Sequence, residues 1–241
     1  MLILALDTTA VTASVALLDG ENVIADFSVH NKLTHSEKLL KMIDDVLLNS
    51  SYSVDDIELI AVSVGPGSFT GVRIGVATAK GLAFGRNIPV VGVSSLEAMA
   101  ENITLVTPLQ MESFVICPSM DARRNELYNS LFLYDGISLS RITEDRPISC
   151  DELLDELIKI NKNVIINGDG AEKLFSFLKT KETDFTFSLS QCLTLRQNAV
   201  SVGLVALREY NKGNVQNASE IAPLYLRTSQ AERVNNKESK K

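Results

Sequence analysis

The chain has 241 residues, 45% of them apolar and 22% charged, enough to bury one large core or two smaller ones. Its net charge of −7 gives no indication of a basic groove that grips nucleic acid by neutralising phosphates, so any RNA contact is expected to lean on a partner. No apolar run reaches the roughly 18 residues of a membrane span, and the opening "MLILALD" lacks the basic start of a signal peptide; a cytoplasmic protein without membrane contact is expected. Cys117, Cys150 and Cys192 stand far apart with no paired spacing, which argues against a disulfide framework and a zinc site and for small buried hydrophobes.

Strand signals open the chain. "LILALD" is followed by the polar turn "TTAVTA" and a second strand, "SVALLDG", whose Asp19-Gly20 pair is a hairpin turn into a third, "VIADFSV". Thr34-His35-Ser36-Glu37 then reads as a capping box, with Thr34 as N-cap and Glu37 at N3. It opens a helix whose Leu39, Leu40, Ile43, Val46 and Leu47 form a wide apolar stripe. "IELIAVSVG" is the next strand; it runs into the turn Gly65-Pro66-Gly67-Ser68 and a helix from near Thr70. The short strand "PVVGVSS" closes the set. Three meandering strands, then helix, strand, helix, strand, join an antiparallel ribbon to a parallel portion, which is the ribonuclease-H-like pattern.

Residues 64–85, "VGPGSFTGVRIGVATAKGLAFG", invite a phosphate-loop reading that spacing excludes. A Walker-type loop from Gly65 or Gly67 needs glycine where Thr70 or Val72 stands, and no Lys-Ser or Lys-Thr pair follows. The dinucleotide fingerprint fails too, because Gly71 comes one residue late. What remains is a helix with two bare rows, Gly71-Gly75-Ala79 and Ala77-Gly81-Gly85. Glycine inside a helix costs roughly 1 kcal/mol against alanine. Close packing is the expected compensation, either on the chain's own sheet or against another subunit.

The second half echoes the first. "SFVICPSMD" ends in Asp121 as the first strand ends in Asp7, and "YNSLFLYDG" ends in Asp135-Gly136 as the second ends in Asp19-Gly20. The helix "CDELLDELIKI" precedes "NVIINGDG", whose Gly168-Asp169-Gly170 stands where Gly65-Pro66-Gly67 stood. Three landmarks in one order suggest two copies of one unit: residues 1–104, residues 105–215, and a C-terminal arm with a disordered tail over 216–241. Residues 192–213 read as a last long helix stopping at Gly213, and "IAPLYLR" as a short strand or an extended arm packing back on the body.

"LALDTTAVTASVALL", "HSEKLL", "GPGSFTGVRIGVATAKGLA", "SSLEAMA", "DARRNELY" and "APLYLR", in this order across nearly the whole chain, resemble the TsaB family, also called YeaZ. The resemblance implies an α/β fold of two tandem ribonuclease-H-like domains, of the actin, sugar kinase and Hsp70 type (ASKHA). It also implies a part in forming N6-threonylcarbamoyladenosine (t6A) at position 37 of tRNAs, beside the catalytic subunit TsaD and the ATPase TsaE, with tRNA met only through the complex. A surface that matches a homologous partner can also match itself, so a homodimer is expected when the partner is absent.

Could the chain do chemistry alone? TsaD-type relatives carry His-x-x-x-His after the strand matching "PVVGV"; here Ser95 and Met99 stand at those positions, and neither suits a hard catalytic metal. His30 and His35 lie elsewhere and read as surface or capping residues. Asp7, Thr8, Thr9, Asp121, Gly168 and Gly170 occupy the places of an actin-type nucleotide cleft. The second hairpin, "DARRNELY", has no glycine to let backbone approach phosphate, so these six are expected to be vestigial, with Asp7 and Asp121 as strand-end caps. The expectation is no catalytic residue, no metal and no cofactor, ATP or ADP entering only at an interface with partners.

The favoured reading is a scaffold that dimerises with TsaD and recruits TsaE. Its candidate interface is Leu39, Ile43 and Val46 on the first helix with Gly71, Gly75, Ala79, Lys80 and Leu82 on the second. A tryptophan at Gly75 is expected to leave a folded monomer that no longer binds TsaD. The alternative is an actin- or sugar-kinase-like ATP-dependent enzyme acting alone, with magnesium and nucleotide between Asp7 and Asp121. A two-metal nuclease lacks its second acid, since the next parallel strand ends at Val64-Gly65; a metallopeptidase lacks the histidine pair. Arg73, Lys80, Arg86, Arg123 and Arg124 are either solvated charge or contacts to a TsaE nucleotide, a partner carboxylate or tRNA phosphate.

Overall fold

The first strand, β1 (Leu2–Asp7), is buried at all six positions, because helices cover both faces of the sheet it centres. Leu2, Leu4 and Leu6 point into one core and Ile3 and Ala5 into another, the two-residue period of a strand. This is a computed structural model that describes residues 1–31, 35–107, 112–123, 125–191 and 194–227.

Beside β1 run β2 (Thr12–Asp19) and β3 (Asn22–His30), both antiparallel, with the expected turn at Gly20. On its other side lie β4 (Leu59–Gly65) and β5 (Val90–Ser94), both parallel, so the order is β3-β2-β1-β4-β5. Two helices, α1 (His35–Asn49) and α2 (Phe69–Ala83), cover one face with Leu39, Ile43, Val46, Val72 and Val76. The expected cap Thr34 lies outside the described residues. Ser68 caps α2, its hydroxyl accepting from the Gly71 N–H at 3.3 Å, so the helix begins one residue before the expected start. A helix the sequence pattern did not separate, α3 (Ser95–Thr104), follows β5 directly.

The second sheet repeats the first. It holds β6 (Phe114–Asp121), β7 (Glu126–Asn129), β8 (Phe132–Tyr134), β9 (Leu139–Arg141), β10 (Arg146–Ser149), β11 (Val164–Asn167) and β12 (Phe187–Leu189). Its main path is β10-β7-β6-β11-β12, with β11 parallel to β6 and β12, the same order and sense as the first. The crossover helices α4 (Cys150–Ile160) and α5 (Ala171–Leu178) sit where α1 and α2 sat. Gly65 and Gly168, at the matching strand ends, have φ of +115° and +100°. The two tandem ribonuclease-H-like units are therefore present. One strand differs from expectation: "YNSLFLYDG" is broken at Ser130-Leu131, where the Leu131 N–H turns to the Thr143 hydroxyl at 2.8 Å, leaving β7 and β8 to pair separately with β6.

The last helix, α6 (Ala199–Asn211), starts at Asn198, whose side chain accepts from the Val200 N–H at 2.6 Å. The expected start at Cys192 lies outside the described residues. Chain order assigned this helix to the second unit, but its Ala199, Val202, Val205 and Ala206 pack on Ile3, Ala5, Ala16, Leu18, Ala61 and Val91, the free face of the first sheet. Its counterpart α3 does the reverse, setting Ala100 and Ile103 against Phe114, Ile116 and Phe132 of the second sheet. The boundary at 104/105 therefore divides the sequence but not the cores. Each unit supplies the last helix of the other.

After α6 the chain runs as an extended arm. Gln216 bridges Val90, Ile221 is buried in the first core, and the Leu224 N–H donates to the Val64 carbonyl at 2.7 Å. Among the described residues no helix is long and apolar enough to cross a membrane.

Candidate functional site

Asp7 ends β1 and is fully buried. One carboxylate oxygen accepts from the Thr9 N–H and the Thr9 hydroxyl, both at 2.8 Å; the other accepts from the Ser63 hydroxyl at 2.6 Å. A carboxylate so enclosed has no room for a magnesium shell. Thr8 is equally occupied, donating its hydroxyl to the Gly71 carbonyl at 2.7 Å. Thr9 is fully buried.

Asp121, the matching strand end, is more open. It accepts from the Arg123 N–H at 3.0 Å and pairs with Lys173 at 3.3 Å. Gly168 and Gly170 do not line an open cleft as the pattern suggested. A Cβ on Gly168 would lie 2.2 Å from the Ser119 carbonyl, and one on Gly170 2.9 Å from the Met120 carbonyl carbon. Both glycines admit the neighbouring strand's own backbone. Close by in the chain, Ala10 after Asp7 and Met120 before Asp121 join Leu96 and Met99 in one apolar cluster, with Tyr128 at its side. Asp169, between the two glycines, was not singled out by the sequence pattern; desolvation by neighbouring atoms pushes its carboxyl up to about 6, and the Asp121 charge adds to the effect.

Among the described residues no cluster of three or more His, Cys, Asp or Glu could hold a metal ion. Ser95 and Met99, at the positions of the TsaD-type histidines, are fully buried, and the Met99 thioether packs on Leu96 and Met120. A hydroxyl and a thioether are a poor donor set for a hard cation. Burial pushes the Cys117 thiol up to about 12 and raises that of Cys150, so both behave as hydrophobes. His30 is bonded to the Thr12 hydroxyl at 3.0 Å; the side chain of His35, with Cys192 and Arg124, lies outside the description.

The helix surface divides in a way that spacing alone did not reveal. Gly71, Gly75 and Ala79 face inward: a Cβ on Gly71 would lie 2.0 Å from the Thr8 carbonyl, one on Gly75 2.6 Å from the Thr8 hydroxyl, and Ala79 is fully buried. Leu39, Ile43 and Val46 are buried in the same core. Six of the eight expected interface residues thus hold the first unit together. Lys80 and Leu82 are half-buried, Lys80 reaching the Ser219 carbonyl at 3.4 Å and Leu82 packing on the core. The second row is the open one. Ala77 is exposed, and a Cβ on Gly81 would meet nothing within 4 Å; the expected third member, Gly85, lies past the end of α2 at φ +79°, in open space but off the helix. Phe84 beside it is 80% exposed, and the neighbouring α1 presents Leu40 and Leu48 at 56% and 78%. Of the nearby cations, Arg73 donates to the Tyr225 hydroxyl at 2.7 Å and Arg86 pairs with Asp55 at 2.8 Å.

Residues 29–233 match the family model described as TsaD, tRNA N6-adenosine threonylcarbamoyltransferase. A Haemophilus influenzae protein named tRNA threonylcarbamoyladenosine biosynthesis protein TsaB is 32% identical, covering 93% of each chain. The chain belongs to the TsaB family. A Bacillus subtilis TsaB is 36% identical over 70% of this chain and 71% of its own. A solved Pseudomonas aeruginosa structure, described as similar to peptidase YEAZ, superposes with a TM-score of 0.78 at 24% identity, covering 94% of this chain and 99% of that one. It supports the fold alone. Membership in the TsaB family ties the chain to t6A formation.

Proposed function

We propose that the chain is a non-catalytic scaffold subunit for t6A formation on tRNA, which dimerises with a TsaD-type catalytic subunit and recruits a TsaE-type ATPase. The docking surface is the outward side of α1 and α2, centred on Ala77, Gly81 and Phe84 with Leu40 and Leu48. The observation that carries this reading is the split of α2: one small-residue row is consumed by its own sheet while the other has open space above it. Such a row admits a second backbone, and a homologous partner with the same two helices could present a matching one. Without that partner the row meets itself in a homodimer. Nucleotide is taken up only at an interface with partners, and tRNA is met through the complex.

The enzyme acting alone requires an acid free to hold magnesium, and the three hydrogen bonds on the Asp7 carboxylate speak against it. The test is reconstitution of threonylcarbamoyl transfer to tRNA with TsaD- and TsaE-type proteins of the same organism. Transfer is expected to need this chain, to survive Asp121→Asn and to fail with Gly81→Trp. Transfer that is indifferent to the chain, or catalysed by it alone, overturns the reading.

A further inference from the structure

The floor between the two units is a small apolar cluster: Ala10 beside the first sheet, Leu96 and Met99 on the exchanged helix α3, and Met120 with Tyr128 on the second sheet. Met99 and Met120 are 0% and 2% exposed. In a hinged two-lobed protein such a floor is uncovered whenever the lobes part, because surfaces that meet only on closure are wetted on opening. Here two arginines cross the same gap.

Arg227 belongs to the C-terminal arm, which is anchored on the first unit by Ile221, by the bond from Leu224 to Val64, and by Tyr225, whose ring lies 4.7 Å from that of Phe69. From that anchorage its guanidinium donates to the Ala122 carbonyl at 2.8 Å, pairs with Glu126 and lies 5.8 Å from the Tyr128 ring, all on the second unit. Its side chain is 17% exposed. Arg141 reaches the opposite way. It stands on the second unit, packs over Phe132, and pairs with Asp145 at 2.6 Å and with Glu97 at 2.7 Å on α3, the exchanged helix that lies on the second sheet, so its link to the first sheet runs through Asp145. Asp145, which it orients, accepts from the Ser94 hydroxyl at 2.5 Å. Sheltered and forked arginine pairs of this kind hold geometry better than exposed ion pairs.

We infer that Arg227 and Arg141 clasp the two lobes in a single closed arrangement, so that this chain works as a rigid block and not as a hinged clamp. The arm is then a strap. Arg227 lies beside Tyr128 at the edge of the floor cluster and joins backbone and carboxylate on the far lobe, where a nucleotide-driven hinge would need freedom.

Methionine oxidation by dilute hydrogen peroxide tests it, since peroxide transfers one oxygen atom to an accessible thioether and leaves as water. Met99 and Met120 report on the floor; Met42, buried at 2% inside the first core, reports on unfolding. Peptide mass spectrometry would follow each residue in the unaltered chain, in Arg227→Ala, in Arg141→Ala and in the double variant. The expected result is oxidation of Met99 and Met120 faster by roughly tenfold in the double variant, with Met42 unchanged. Unchanged rates at Met99 and Met120 overturn the clasp, and so does acceleration of all three methionines together. Should the double variant fail to fold, Tyr225→Ala, which loosens the strap at its anchored end, is read by the same criteria.

Discussion

The two small-residue rows of α2 have the same four-residue spacing and opposite fates. Gly71, Gly75 and Ala79 let the β1–β2 connection approach until the Thr8 carbonyl sits where a Cβ would be, whereas Ala77, Gly81 and Gly85 look into open space. Glycine therefore means two things on one helix. Inward, it is a packing necessity that any monomer of this fold would share; outward, at Gly81, it is a helix-propensity cost with no packing return inside the chain, whereas Gly85 sits past the helix end at φ +79°, where a turn favours glycine. A feature that costs stability and serves nothing within the monomer is the better pointer to something outside it.

Substitutions can break this comparison. Gly71→Leu should be the most damaging, lowering stability by about 3 kcal/mol or more because rigid backbone, and not a flexible side chain, occupies the space; denaturant titration reads it. Gly75→Trp falls in the same class, so it should unfold the chain and not yield the folded, partner-blind monomer that sequence alone suggests. Next comes Asp7→Ala, expected to cost about 2 kcal/mol, since it strands the buried Thr9 N–H and Ser63 hydroxyl. Asp121→Ala, at the exposed counterpart, should stay within about 0.5 kcal/mol. If the two aspartates behaved alike, the contrast between a spent acid and an open one would be lost.

Gly81→Trp sharpens the comparison from the other side. It should leave the denaturation midpoint nearly untouched and weaken association with the TsaD-type partner by tenfold or more, about 1.4 kcal/mol, in a pull-down or titration. Equal damage to folding would mean the outward row is not free. The smallest effect concerns Asp169. Its folded pKa of about 6 lies above the ordinary carboxylate value, so the folded chain binds the extra proton between pH 4 and 6. Stability should therefore fall as pH rises through that window. Asp169→Asn should flatten the slope and gain less than about 1 kcal/mol at neutral pH, the side chain being solvent-accessible and screened.

Much of the fold was legible because turns and periodicity are local. Asp19-Gly20 and Asp135-Gly136 marked both hairpins, Asp7 and Asp121 both strand ends, and the order of landmarks gave the repeat. What escaped was relational. Nothing in the spacing of α2 says which row meets the sheet, because a helix wheel fixes angles between rows and not their absolute direction. The exchange of α3 and α6 between sheets escaped for a similar reason, since an apolar face announces that it will be covered but not by which half. The break at Ser130-Leu131 depended on a hydroxyl from Thr143, a dozen residues away. Arg227 escaped too, because an arginine near a polar tail reads as solvated charge until the arm is seen to cross the cleft.

The exchange of terminal helices carries a consequence for biosynthesis. The first sheet is complete once Ser94 has been made, yet the helix that covers its second face ends at Asn211. A ribosome translating this message must therefore hold a half-clad sheet, with Ile3, Ala5 and Val91 bare on one side, through more than a hundred further codons. Folding of the leading half cannot finish before the trailing half emerges, and a nascent chain in that condition is a natural client for a chaperone.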